Sequence, residues 1–276
     1  MIHKEFNFNV YNTKIFGSYF QPESLKAVVV LIHGMGEHSS RYEKDVIPYF
    51  NQNSIAVIAY DQFGHGKTEG KRGHNPSFEA VLECVDFMLE KAKELFGNKP
   101  TFLYGHSMGG NVAINYVLRR ENSLTGIIAT SPFLRLAFRP PKWKLMLGKI
   151  ILKIAPSLTM TSGLEVAAIS RDEDEIKAYK NDPLIHDKVS PNYSLVFMET
   201  GEWAIKNASK LKLPMLLLHG TGDRLTSCKA SEEFVKNANK NVSLILYEGA
   251  YHELHHDYVK QEVLKDIITW ISKKIT

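Results

Sequence analysis

Apolar residues fall along this chain in two alternating patterns. Short continuous runs, AVVVLIH (27–33), IAVIAYD (55–61), TFLYGH (101–106), LTGIIAT (124–130), PMLLLHG (214–220) and VSLILYEG (242–249), read as strands buried on both faces. Between them lie stretches with helical periodicity, roughly 41–53, 77–96, 108–120, 227–239 and 256–274. In 77–96, Phe78, Val81, Leu82, Val85, Met88, Leu89 and Ala92 recur on one core-facing stripe. Near the start, FNFNVYN and KIFGSYF read as a short antiparallel pair. Strands alternating with such helices predict an α/β fold with a mostly parallel central sheet and helices on both faces. The alternation lapses over 132–205, where scattered prolines and basic helical sequence replace it. The expected organisation is therefore a core of residues 1–131 and 206–276, with 132–205 inserted as a helical cap. Ligands of open α/β sheets bind at the carboxyl ends of the strands, so an insertion after 124–130 is placed to roof a site.

Composition narrows the class. The 276 residues, 44% hydrophobic and 23% charged, are ordinary for a globular chain. The opening MIHKEFNFNV lacks the basic head and apolar run of a signal peptide, and no stretch has 18 successive apolar residues, so neither export nor membrane spanning is expected. Cys84 and Cys228 are the two cysteines and have no metal-type spacing, which fits a reducing cytoplasm and no bound metal.

Charge adds a second point. The net charge of +4 is concentrated: no acidic residue lies between Glu121 and Glu165, while Arg135, Arg139, Lys142, Lys144, Lys149 and Lys153 do. Without these six the chain is slightly acidic. After Pro140-Pro141, Trp143, Met146, Leu147, Ile150, Ile151 and Ile154 share one helical face, with Lys142, Lys149 and Lys153 along its flank. Such a helix either packs face down on the core with its lysines in water or lies against anionic lipid. The local excess of positive charge favours the second, a peripheral membrane contact through the cap, and no nucleic-acid partner is expected.

The stretch LYGHSMGG (103–110) places Ser107 between two glycines where a strand gives way to a helix, the setting of a G-x-S-x-G nucleophile elbow. The Met108 N–H opens the following helix, where amide donors lack helical partners and the dipole favours negative charge. HGMGEHSSRY (33–42) follows the strand 27–33, and its glycines allow the Met35 N–H to act as a second oxyanion donor. Asp223 follows the strand 214–220 in LHGTGDRLT, and His252 follows the last strand in EGAYHELHHD. The order Ser107, Asp223, His252 is that of a hydrolase triad on this type of sheet. His106, His255 and His256 compete for the role of base, but His106 lies on the nucleophile's strand and the other two fall at the next helix.

GHSMGG, HGMGEHSSRY, NDPLI (181–185), HGTGDRLT and YEGAYHELHH together resemble the monoacylglycerol lipase and lysophospholipase branch of the serine α/β-hydrolases, over roughly residues 27–275. The resemblance implies an α/β-hydrolase with a mobile cap that cleaves the ester of a single-chain acylglycerol without a cofactor. Lysophospholipids, simple esters and non-catalytic ligand binding are the alternatives. It also implies contacts to the glycerol end by Glu37, Arg41, Tyr179 and His255. Read by spacing alone, Glu37 and Arg41 are an i, i+4 ion pair at a helix start, and Tyr179 packs under the cap. Thr226 departs from the pattern, standing where mammalian members carry a cysteine, and the cap between 133 and 175 matches poorly.

Overall fold

The apolar runs pair side by side into one twisted sheet. The computed structural model describes residues 1–275. β1 (Ile2–Val10) and β2 (Thr13–Gln21) form an antiparallel ribbon. Tyr11 and Asn12 both take positive φ at its turn, as a two-residue type I′ hairpin requires. β3 (Ala27–Ile32) is followed by α1 (Val46–Gln52) and β4 (Ile55–Tyr60), then α2 (Phe78–Phe96), β5 (Thr101–His106), α3 (Met108–Arg119) and β6 (Gly126–Thr130). The chain then makes its excursion through α4 (Lys142–Ile154), β7 (Met160–Thr161), α5 (Glu173–Asn181), β8 (Lys188–Val189) and α6 (Pro191–Asn207). It returns as β9 (Met215–Gly220), α7 (Cys228–Asn237), β10 (Val242–Tyr247) and α8 (Lys260–Ser272).

The main sheet has eight strands in the order β1-β2-β4-β3-β5-β6-β9-β10. From β4 to β10 every pairing is parallel, and β2 joins β4 antiparallel. Because side chains alternate across a strand, Val28, Val30 and Ile32 enter the layer formed with α2, α3, α6 and α7, while Ala27, Val29 and Leu31 enter the layer under α1 and α8. The strand order reverses direction between β3 and β5, and at such a switch point the loops at the carboxyl ends diverge and leave a crevice.

Two expected helices are shorter than their periodicity. Residues 39–43 form a tight 3-10 turn, and α1 begins only at Val46. Pro48 explains the break, since its ring tolerates the first turn of a helix but not a continuous run from residue 41. Residues 254–256 form another tight turn ahead of α8. There Asp257 is tied to Arg171, and Glu253 to Arg41, which holds the segment as a loop.

In the excursion, α4 packs on α6, where Gly148 lets it approach Leu195. The half-buried positions of α4 are Leu145, Gly148, Ile151 and Leu152, and no residue of the helix is fully buried. Trp143, Met146, Leu147, Ile150 and Ile154 therefore face outward, Trp143 63% and Ile154 77% exposed. The face-down arrangement is not adopted. α6 packs on α3 and α7 and sends Tyr193, Phe197, Ala204 and Ile205 into the core. Asn111 of α3 ties the excursion's two ends together: its amide nitrogen donates to the carbonyls of Phe133 (2.8 Å) and Phe197 (3.1 Å), and its oxygen accepts from the Thr200 hydroxyl at 3.0 Å. Among the described residues, no helix is long and apolar enough to cross a membrane.

Candidate active site

Ser107 sits at the switch point with φ 52° and ψ −114°, a conformation L-residues rarely adopt. Strain of this kind costs on the order of 1–3 kcal/mol and persists only where the surroundings over-determine it. Here the Ser107 N–H donates to the Thr130 carbonyl at 2.9 Å, and its own carbonyl accepts from the amides of Asn111 and Phe133. The flanking glycines make the turn possible: a Cβ on Gly105 would lie 2.2 Å from the Gly109 carbonyl oxygen, and one on Gly109 would lie 2.0 Å from the Ile32 carbonyl oxygen. The side chain of Ser107 makes no capping bond to α3, so its hydroxyl is not spent on the backbone.

The loop after β3 meets this turn. A Cβ on Gly34 would lie 3.3 Å from the Ser107 Cβ, and Met35 and Ser107 line the same cavities. Met108 is the first residue of α3.

Asp223 and His252 come together from the loops after β9 and β10. His252 Nδ1 donates to Asp223 Oδ2 at 2.7 Å, which leaves Nε2 as the basic ring nitrogen. Asp223 Oδ1 accepts the amides of Leu225 (2.7 Å) and Thr226 (3.0 Å), and Oδ2 also accepts the Thr226 hydroxyl at 2.9 Å. Burial disfavours the Asp223 carboxylate, but the facing histidines outweigh it and hold Asp223 far below the usual carboxylate range. Burial likewise opposes the charged form of His252, yet the charge and hydrogen bond of Asp223 prevail and raise its pKa above the ordinary histidine value. His106, with its ring 4.9 Å from that of His252, goes the other way: burial and the neighbouring His252 push it down to about 4. It is neutral at physiological pH.

Glu37 and Arg41 form the ion pair that their spacing suggests, Nη1 to Oε2 at 2.8 Å. Glu37 Oε1 accepts the Gly34 amide at 2.6 Å and the Tyr42 hydroxyl at 2.9 Å. Arg41 also grips Glu253, and its guanidinium lies 4.8 Å from the centroid of the Tyr179 ring. His255 is fully buried, stacked 4.8 Å from Tyr42 and edge-on to His106 at 4.7 Å, with neither ring nitrogen hydrogen-bonded. Two hollows open at Ser107. One, about 320 Å³, has walls that include Phe133, Leu136, Phe138, Tyr193, Met198 and Leu225, together with Ser107 and His252. The other, about 30 Å³, is lined by Glu37, His106, Tyr179 and Glu253 among others. Neither Arg41 nor His255 lines either hollow. A larger hollow of about 620 Å³ lies beside Thr101 and Leu124, at the amino ends of β5 and β6 and away from the serine.

Glu253 and His219 belong to this constellation although sequence reasoning passed over both. Glu253 carried one signal, its position next to His252; His219 carried none, being a strand residue in an apolar run.

The profile of the family Hydrolase_4, described as serine aminopeptidase, S33, matches residues 23–258. The chain belongs to this family. Within it the chain groups with the monoglyceride lipases, and its sheet and helices are those of the α/β-hydrolase fold. A monoglyceride lipase homolog of monkeypox virus is 32% identical over 97% of this chain and 98% of that protein. An uncharacterized abhydrolase domain-containing protein of Dictyostelium discoideum is 36% identical over 90% of this chain, which spans only 26% of that longer relative. The crystal structure of a Paleococcus ferrophilus monoacylglycerol lipase superposes with a TM-score of 0.87 at 34% identity, covering 94% of this chain and 99% of that one.

Proposed function

We propose that this Hydrolase_4 protein hydrolyses monoacylglycerols to fatty acid and glycerol through an acyl-enzyme. The observation that carries this reading is the 2.7 Å bond from His252 Nδ1 to Asp223, made beside a strained Ser107 in one apolar-walled cavity. His252 Nε2 takes the Ser107 proton as Oγ attacks the ester carbonyl carbon. The Met35 and Met108 amides hold the oxyanion, and collapse breaks the bond to the glycerol oxygen, which receives the proton from His252. Water, deprotonated by the same nitrogen, then releases the fatty acid and restores the serine. No cofactor enters these steps. The 320 Å³ hollow is of ligand-binding size and suits an acyl chain. The polar hollow with Glu37 and Tyr179 suits the glycerol hydroxyls. Arg41 positions Glu37 and Glu253, and His255 supports His106, in place of the direct substrate contacts expected of them.

Residues 132–205 act as the cap, rooted on α3 through α6. The outward stripe of α4, edged by Lys142, Lys149 and Lys153, supports a peripheral contact with anionic lipid, from which a membrane-dissolved substrate enters. Two free thiols, Cys84 and Cys228, fit a reducing compartment. The test is fluorophosphonate labelling of wild type and Ser107→Ala, followed by turnover of monoacylglycerols, lysophospholipids and simple esters of matched acyl chain. Labelling confined to Ser107 with preference for the monoacylglycerol supports the reading. Labelling elsewhere, or preference for another head group, overturns the corresponding part.

A further inference from the structure

The carboxylate of Asp223 faces two imidazoles. Besides His252, His219 brings its Nε2 to 3.2 Å from the same oxygen, Oδ2. His219 is the fifth residue of β9 and fully buried. Its Nδ1 lies 2.8 Å from the Ser231 hydroxyl of α7, and its Nε2 is also 3.3 Å from the Thr226 carbonyl oxygen. The Thr226 carbonyl can only accept, so Nε2 carries the proton, and the same ring edge lies beside Asp223 Oδ2 and lowers its basicity, with the Thr226 hydroxyl farther off at 3.5 Å.

We propose that His219 is a positioning residue for acyl transfer, sharing Asp223 Oδ2 with His252 and so setting how tightly the acid holds the imidazolium that forms during attack. This rests on the triad reading above. Oδ2 is met by His252 Nδ1 at 2.7 Å, the Thr226 hydroxyl at 2.9 Å and His219 Nε2 at 3.2 Å, and Oδ1 by two amides. Each donor stabilises the carboxylate charge and lowers its basicity, so removing one strengthens its pull on the His252 proton. The remaining neighbours stay constant across the test. His252 also feels His106, Glu253 and Glu37; the Cys228 thiol of α7 feels Asp223; and Arg224 is engaged with Glu165.

The experiment follows kcat/KM for a water-soluble nitrophenyl ester against pH in wild type, His219→Leu, His219→Gln and Ser231→Ala. Losing the donor in His219→Leu moves the acid limb upward by roughly half a pH unit, the worth of one hydrogen bond, and lowers kcat about tenfold through a less ordered carboxylate. His219→Gln, which keeps an N–H donor, restores most of both. Ser231→Ala, which frees the ring from its Nδ1 partner, moves the limb the same way by less. Leucine and glutamine variants that behave alike, or a wild-type profile in His219→Leu, overturn the proposal. Should His219→Leu not fold, as read by circular dichroism, an unmoved limb in Ser231→Ala overturns it. Asp223→Asn is run in parallel: activity surviving there defeats the triad reading, whereas its loss beside silent His219 variants defeats this inference alone.

Discussion

Arg41 closes on Glu253 with both terminal nitrogens, each 2.7 Å from a carboxylate oxygen, while the same guanidinium reaches Glu37 at 2.8 Å. One cation thus compensates two buried anions on the wall of the smaller hollow. Breaking a buried pair from one side is far costlier than its net worth, because the abandoned charge keeps its desolvation penalty. Arg41→Met is expected to destabilise the fold by about 3–5 kcal/mol, measured by urea unfolding. A loss below about 1 kcal/mol would mean that water reaches the carboxylates.

The same cluster predicts acid sensitivity. Burial alone would raise Glu37 and Glu253, but Arg41 outweighs it and holds both below the usual carboxylate range. Groups with depressed folded pKa values contribute stability that is present above the unfolded value, about 4.3 for Glu, and is lost as pH falls through the folded one. Urea midpoints should therefore fall steadily below about pH 5, and Glu253→Gln should flatten that slope. An equal slope in the variant would assign acid unfolding to other carboxylates.

In the proposed reaction, His252 must be neutral to accept the serine proton. Its raised pKa places the acid limb of kcat/KM above the ordinary value of about 6.5. Asp223→Asn removes the anion that raises it, so the limb should move down while kcat drops by about 10⁴ through loss of the correct tautomer. A limb that stays in place would point to Glu253 or Glu37 as the dominant charge.

Head-group choice is tested at the polar hollow. Glu37→Gln and Tyr179→Phe are expected to lower kcat/KM for a monoacylglycerol by at least tenfold more than for a simple ester of the same chain, since a site built for hydroxyls discriminates strongly. Equal losses on both substrates would make these residues props for the loop after β3.

At the proposed cap, the outward stripe of α4 predicts sedimentation with anionic vesicles at low salt, weaker at physiological salt and negligible with neutral vesicles. Each lysine near such a surface contributes about 1 kcal/mol within a Debye length. Replacing Lys142, Lys149 and Lys153 by Gln should weaken binding and leave turnover of a soluble ester unchanged. Vesicle binding indifferent to both salt and the triple substitution would exclude an electrostatic contact.

What was legible in the sequence was what repeats or punctuates. The buried runs and the stripe from Phe78 to Ala92 mark their elements because periodicity is local, and Gly105 and Gly109 mark the turn because only glycine fits where a Cβ would meet backbone at about 2 Å. The 3-10 turns at 39–43 and 254–256 escaped because tertiary ion pairs and Pro48 decide them. Glu253 and His219 escaped for a related reason: each acts through a partner far away in sequence, Arg41 or Asp223, and a single buried polar residue leaves no period to read. The outward face of α4 could not be chosen from spacing, which is identical for a helix packed inward or outward.

Asn111 stands one helical turn after Ser107 and holds both roots of the excursion, Phe133 on the way out and Phe197 on the way back. The two ends of some sixty residues therefore share a socket on the helix that follows Ser107. Much of what is threaded between them still touches the site, since Arg171 holds Asp257, the Ile169 carbonyl accepts the Glu253 amide and Tyr179 lies against Arg41, whereas the outward face of α4 touches none of these. That outward face is thus the interchangeable part, free to drift toward new surfaces while the loops around Ser107 are left untouched.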